Sequence, residues 1–169
     1  GLDVTVVAPE KIPFENIFGS DIGKLFKRKH EENGVNFKLG RTVKEFEGTD
    51  TVESVLLDNS EDIDTDLVVI GIGIDPVTNI SGNVRPDDDG SFKVDKFLRL
   101  SDFVFAAGDC AKFKDWRTGE EMRIEHWRTA MQQGMVAAHN MFGKNIEYRK
   151  VPYFWTEQAG IEQIGRAHV

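Results

Sequence analysis

A single cysteine, Cys110, stands among 169 residues. Within this stretch that excludes an internal disulfide and a Cys-x-x-Cys redox pair, and it suits a reducing compartment. The four histidines are scattered and, with one cysteine, form no structural zinc pattern. Positive charge is also scarce: 21 Lys and Arg face 29 Asp and Glu, a formal net charge of -8. Such a surface repels nucleic acid and anionic membrane and excludes a basic-patch binder. No apolar run approaches the roughly 20 residues of a membrane span, and no signal-peptide pattern opens the chain. An intracellular location is expected, with cytoplasm and mitochondrion undecided. What remains, 40% hydrophobic and 30% charged residues, is the balance of a globular rather than a disordered chain.

Both ends are unusual. Gly1-Leu2-Asp3 runs straight into the strand-like Val4-Thr5-Val6-Val7, and a buried parallel strand needs other elements to cover it. The chain is therefore expected to be a fragment, and poorly stable alone. Residues Ile164 to Val169 back-translate into a string resembling a sequencing adapter. They are set aside as a non-native tail, the other reading being an ordinary C-terminal strand.

Ser20 is a candidate cap for a helix with Ile22, Leu25 and Phe26 on one face. Asp21 lies in its first turn, Lys27 to His30 in its last turns, and Gly34 at its stop. Val35–Leu39, Thr42–Glu47 and Val52–Leu57 alternate and are separated by turn residues, the pattern of an antiparallel meander. Leu67-Val68-Val69-Ile70 is a continuous apolar run, expected as a strand buried on both faces of a parallel sheet. A domain crossing is expected near residues 76–82, before a strand at Phe92-Lys93-Val94. A second buried strand, Phe103–Ala107, follows. Trp127 to Phe142 is the best helix, with Trp127, Ala130, Met131, Gly134, Met135, Ala138, Met141 and Phe142 recurring at helical spacing as its packing face.

Six places could carry chemistry. Glu10 follows a strand, where a carboxylate accepts hydrogen bonds from a nucleotide ribose and repels a 2′-phosphate. The same residue type also serves a solvated turn. Gly71-Ile72-Gly73 ends an apolar strand candidate, and glycine there either admits a ring or phosphate or simply makes a tight loop. Gly108-Asp109 repeats that logic with a charged tip that could hold a polyol hydroxyl or cap the next turn. Glu125, His126 and Trp127 open the long helix, whose free amides favour an anion or electron-rich ring. His126 there is either structural or an acid–base group. Cys110 is expected as a small buried residue, and Asn79-Ile80-Ser81 matches a glycosylation sequon.

Taken in order, VTVVAPEKIPFENIFGSDIG, HEENGVNF, DLVVIGIGIDP, VFAAGDCAKF, EHWRTAMQQGMVAAHNM and VPYFWT resemble the FAD-dependent pyridine nucleotide-disulfide oxidoreductases. Within them the likeness is greatest to apoptosis-inducing-factor-like proteins bearing a Rieske-type domain, then to ferredoxin reductases of oxygenase systems. The likeness runs over about residues 2–157. It implies an α/β fold: a partial FAD/NAD(P)-binding, Rossmann-like two-domain arrangement with parallel sheets and an antiparallel β-meander. Residues 1–78 would be the second half of an NADH-binding domain and 79–150 the C-terminal half of an FAD-binding domain. Residues 151–163 would start an interface domain, with 164–169 as the tail.

By the same likeness, Glu10 would bind the NADH ribose, and Gly71, Ile72 and Gly73 would lie along the nicotinamide nucleotide. Gly108 and Asp109 would hold the FAD ribitol-phosphate region. Glu125, His126 and Trp127 would face the flavin, with Trp155 near it. The implied function is hydride transfer from NADH to FAD and electron delivery to an iron–sulfur acceptor protein or domain. No general base is needed, and no metal is bound by this stretch. The family's two amino-terminal glycine motifs are absent here, and Ser101-Asp102-Phe103 stands where the family has a Pro-Gly turn. The rival reading is a nucleotide-binding regulatory or apoptosis-signalling module on the same fold without redox turnover.

Overall fold

The computed structural model describes residues 1–78 and 84–166. The sequon at Asn79-Ile80-Ser81 and the end of the tail, 167–169, lie outside the described residues. The chain divides into two compact units, the first built on Gly1–Ile72 with Glu157–Gln163, the second on Gly73–Thr156.

In the first unit, β1 (Val4–Ala8) pairs in parallel with β2 (Val35–Leu39), Val4 opposite Val35 and Ala8 opposite Leu39. Parallel neighbours need a crossover, and α1 (Glu15–Phe18) and α2 (Ser20–Glu32) supply it. Phe14, Phe18 and Phe26 bring their rings to 5.5–6.2 Å between centroids and anchor the helices, with Phe26 buried. Gly23 lets this happen: a Cβ there would stand 2.3 Å from the Pro13 carbonyl oxygen. On the solvent side Lys27 pairs with Glu31, and Lys29 with Glu32 at 2.7 Å. The basic run of α2 is thus a solvated, internally paired face that also suits the helix C-terminus.

Three expectations for this unit need correction. Ser20 is the first helical residue; Gly19, at φ 80°, occupies the cap position and no side chain caps it. Val35–Leu39 belongs to the parallel pair rather than the meander, because the helix before it forces a crossover and alternation alone is blind to strand direction. The meander itself is β3 (Val43–Glu47), β4 (Ser54–Leu57) and β5 (Asp62–Asp64), antiparallel in that order, with Val55 and Leu57 buried from the central strand. Finally, Leu67–Ile70 forms no strand, and Leu67, Val69 and Ile70 are exposed. A strand exists only where a neighbour accepts its backbone hydrogen bonds, and among the described residues none pairs with this run.

The second unit centres on β9 (Ala111–Lys114), flanked by parallel β6 (Phe92–Lys93) and antiparallel β10 (Glu121–Arg123). Its core gathers Phe92, Val94, Leu98, Ala111, Phe113, Met122, Val136 and Tyr148. Phe113 and Tyr148 meet edge to face at 5.2 Å. The expected strand Phe103–Ala107 shrinks to β8 (Val104–Phe105), which pairs antiparallel with β7 (Arg99–Ser101), and Phe103 is exposed. As with Leu67–Ile70, the apolar run lacks a parallel neighbour among the described residues. A hairpin of β11 (Tyr153–Gln158) and β12 (Ile161–Arg166) ends the described chain.

Helix α3 (Trp127–Met141) buries Ala137, one of the small residues expected with Gly134 and Ala138 at its packing face, but turns most of the expected apolar face outward. Thr129, Gln133, Val136, Ala137 and Asn140 are buried, whereas Trp127, Met131, Met135, Met141 and Phe142 are exposed. The reason is backbone satisfaction. Asn140 donates Nδ2 to the carbonyls of Phe97 (2.9 Å) and Ile146 (2.8 Å) and accepts the Ile146 N–H at 2.6 Å. A buried polar stripe holds the loops, and the apolar stripe is left outward.

Among the described residues, no helix is long and apolar enough to cross a membrane, and no His, Cys, Asp and Glu cluster could hold a metal ion.

Candidate dinucleotide-binding sites

In the first unit Glu10 lies just past the end of β1, where the crossover turns away. The Glu10 carbonyl accepts the Gly40 N–H at 3.0 Å and the Ala8 carbonyl accepts the Arg41 N–H at 3.1 Å. These two bonds fix the carboxyl ends of β1 and β2 side by side, which is where open α/β sheets take their ligands. The Glu10 side chain is exposed and has no partner among the described residues. Gly71 and Ile72 close this unit in an exposed segment with no atom within 4 Å of the position a Cβ would take on Gly71.

In the second unit, Gly73 adopts φ 98° with open space about it. Gly108 shares the positive φ but differs in its surroundings. It is buried at φ 83°, and a Cβ there would approach Ala130 Cβ to 3.2 Å. Its N–H donates to Gln133 Oε1 at 2.7 Å and its carbonyl accepts the Ala111 N–H at 2.9 Å. Next to it, the Asp109 carbonyl accepts from Arg123 Nη1 at 3.2 Å. Arg123 also pairs with Glu125 at 2.6 Å. One guanidinium therefore ties the Gly108–Asp109 turn to the segment that opens α3. The Asp109 carboxylate, half-buried, has no partner among the described residues.

His126 caps α3: its Nδ1 accepts the Arg128 N–H at 3.2 Å. With Nδ1 so engaged, the neutral ring carries its proton on Nε2. That bond gives His126 a structural task at the helix start. Around the cap the rings of His126 and Trp127 stack at 5.8 Å, Trp127 meets Trp155 at 6.1 Å and His126 meets Trp155 at 6.2 Å. Tyr153 extends the group at 5.9 Å from Trp155, and the Arg128 guanidinium lies 3.7 Å from the Tyr153 ring centroid. Trp127 stays 62% exposed and Trp155 42% exposed, so this is a surface of aromatic rings beside a helix N-terminus.

Glu125, His126, Trp127 and Trp155 are thus brought together, with Gly108 and Asp109 linked to them through Arg123. Four contributors escaped sequence reading: Arg123, Arg128, Gln133 and Tyr153. Tyr153 was within reach, two residues before Trp155 and therefore on the same face of a strand. Two open concavities of the second unit lie elsewhere. One is formed by Pro86, Asp87, Asp88, Asp89 and Lys112. The other surrounds Trp116 and Tyr148. In the first, Lys112 pairs with Asp87 at 3.0 Å and Asp89 at 2.8 Å, and that contact holds the Asp89 carboxyl far below the ordinary range.

A parallel β-α-β crossover with a carboxylate at its strand end, and a glycine turn bound to a helix start, define an α/β chain of the Rossmann-like dinucleotide-binding class. The chain belongs to the pyridine nucleotide-disulphide oxidoreductase family, whose model matches residues 1–134. It is 35% identical over 162 residues to apoptosis-inducing factor 3 of Homo sapiens, covering 93% of this chain and 27% of that protein. To rhodocoxin reductase of Rhodococcus erythropolis it is 34% identical over 160 residues, covering 94% of this chain and 38% of that protein. Among solved structures, the ferredoxin reductase for the CYP199A2 system from Rhodopseudomonas palustris superposes with a TM-score of 0.82. The identity there is 28%, over 96% of this chain and 41% of the other. The chain thus spans between about a quarter and two-fifths of the length of these relatives.

Proposed function

We propose that this chain serves a flavoprotein oxidoreductase that passes a hydride from NADH to FAD and electrons on to an iron–sulfur acceptor. Bound FAD would supply the chemistry, taking up a hydride and releasing electrons singly. The observation that carries the reading is the coupling of the Gly108–Asp109 turn, through Arg123 and Gln133, to the helix start bearing Trp127 and its neighbour Trp155. The absence of a Cβ at Gly108 lets the turn sit against Ala130 at the start of α3, and the unpartnered Asp109 carboxylate beside it suits a polyol hydroxyl donor. Those features fit the ribityl region of FAD.

Each residue has a task under this reading. Gly108 and Asp109 hold the ribityl-phosphate segment, while Glu125, His126 and Trp127 place the α3 N-terminus and an indole beside the flavin ring. Trp155 backs Trp127. Arg123 neutralises Glu125, so the helix start presents free amides rather than a carboxylate repelling an electron-rich ring. Glu10 receives the adenosine ribose hydroxyls of NADH and disfavours a 2′-phosphate, and Gly71, Ile72 and Gly73 border the nicotinamide nucleotide. Since Cys110 is the one cysteine in this stretch, no dithiol relay forms within it. The domain plan follows: 1–78 with NADH, 79–150 with FAD, and 151–163 starting an interface region.

The test is the visible spectrum of the full-length protein. A yellow protein with bound FAD that bleaches under anaerobic NADH, faster than under NADPH, supports the reading. A colourless protein, or a flavin that NADH leaves oxidised, overturns it and favours a module without turnover.

A further inference from the structure

Gln133 is fully buried in the second turn of α3. Its Oε1 accepts the Gly108 N–H at 2.7 Å, while its Nε2 finds no acceptor among the described residues. A buried amide with one unsatisfied end is costly, of order 1–3 kcal/mol. An isosteric methionine would avoid that loss, so packing alone does not explain the residue. What glutamine adds is a fixed acceptor aimed at one backbone N–H, that of a glycine in the left-handed region. From the opposite direction Arg123 holds the Asp109 carbonyl. The two bonds bracket residues 108 and 109 and define where the Asp109 side chain leaves the backbone.

We propose that Gln133 is a positioning residue for cofactor binding: by holding the Gly108 N–H it sets the Asp109 carboxylate for the ribityl hydroxyls of FAD. The inference rests on the FAD reading and deepens it. On this proposal Gln133 acts through the turn, so its effect vanishes once the Asp109 carboxylate is gone.

The experiment is a double-mutant cycle on the full-length protein, reading FAD dissociation by flavin fluorescence and the visible band shape of bound flavin. Asp109→Ala is expected to weaken FAD about hundredfold, and Gln133→Met about tenfold with a shifted flavin band. The double variant should lie within about threefold of Asp109→Ala, because coupled residues are not additive. Gln133→Glu keeps an acceptor for the Gly108 N–H and should bind FAD at least threefold tighter than Gln133→Met. Unchanged affinity in Gln133→Met, or independent losses that multiply in the double variant, overturns the proposal. Should Gln133→Met fail to fold, Gln133→Glu decides: a loss below tenfold that disappears in the Asp109→Ala background supports the role, and a loss that persists there overturns it. Failure of the FAD reading is distinct, since the unmutated protein would then bind no FAD.

Discussion

Two glycine-bearing turns, Gly71–Gly73 and Gly108–Asp109, look alike in the sequence, each ending a short apolar run. In the structure they part company. At Gly71 and Gly73 no atom comes within 4 Å of where a Cβ would stand, and Ile72 is 91% exposed. The apolar run before them stays unpaired. Gly108 instead is gripped by Gln133, crowded by Ala130 and adjoined by an Arg123 contact. The lesson is that glycine after a strand marks where a backbone can approach something, whereas the residues facing the turn decide what it is held for. One turn finds its support inside this chain; the other does not find it among the described residues.

The largest expected effect separates the two turns directly. Gly108→Ala places a Cβ in the left-handed region and within 3.2 Å of Ala130 Cβ, adding strain of about 1–3 kcal/mol. FAD affinity of the full-length protein should fall by a hundredfold or more, measured by fluorescence quenching. Gly71→Ala meets open space and should leave FAD affinity unchanged and thermal stability of the full-length protein within about 0.5 kcal/mol. Equal behaviour of the two variants would erase the distinction. Helices offer a parallel contrast. Asn140→Leu leaves the Phe97 and Ile146 carbonyls and the Ile146 N–H without their buried partner, a loss of about 3 kcal/mol in chemical denaturation. Arg28→Ala on α2 removes one exposed pair with Glu32 and should cost at most about 0.5 kcal/mol.

The two unpartnered carboxylates sharpen the comparison further. Glu10→Ala should raise the KM for NADH about tenfold, leave kcat nearly unchanged and narrow the preference over NADPH, as loss of uniform binding does. Asp109→Ala should act on FAD retention instead. A Glu10 variant with unaltered NADH kinetics would remove that residue from the nucleotide site.

Sequence reasoning reached the parts of this molecule that depend on short-range chemistry. Helix α2 was legible from its charge distribution and stop, and the meander from alternation broken by turn residues. The grouping of Glu125, His126 and Trp127 followed from one helix start. It failed where the answer lies with a distant partner. Leu67–Ile70 and Phe103–Ala107 carry the composition of buried strands, yet composition does not provide the neighbour that makes a strand. For α3 the apolar periodicity pointed outward, because Gln133 and Asn140 are drawn inward by backbone groups of Gly108, Phe97 and Ile146, all outside the helix itself. Arg123 was invisible for the same reason: its value comes from two partners, Asp109 and Glu125, that only the fold unites.

A further expected effect concerns Tyr148, in the core of the second unit. Burial pushes its phenol up to about 12 from the usual 10, and its hydroxyl has no partner among the described residues. A pKa raised on folding means that the folded state prefers the neutral phenol. The associated stability is complete below pH 10 and declines as pH rises from 10 toward 12. Tyr148→Phe keeps the edge-to-face ring contact with Phe113 and removes both the unpaired hydroxyl and the titration. At neutral pH the variant should match the parent or gain up to about 1 kcal/mol; above pH 10 it should lose less stability than the parent. Urea denaturation at neutral pH and again above pH 10 measures both. A variant markedly weaker at neutral pH would mean that the Tyr148 hydroxyl is bonded in solution, and the second unit's core would then depend on a partner from outside the described residues.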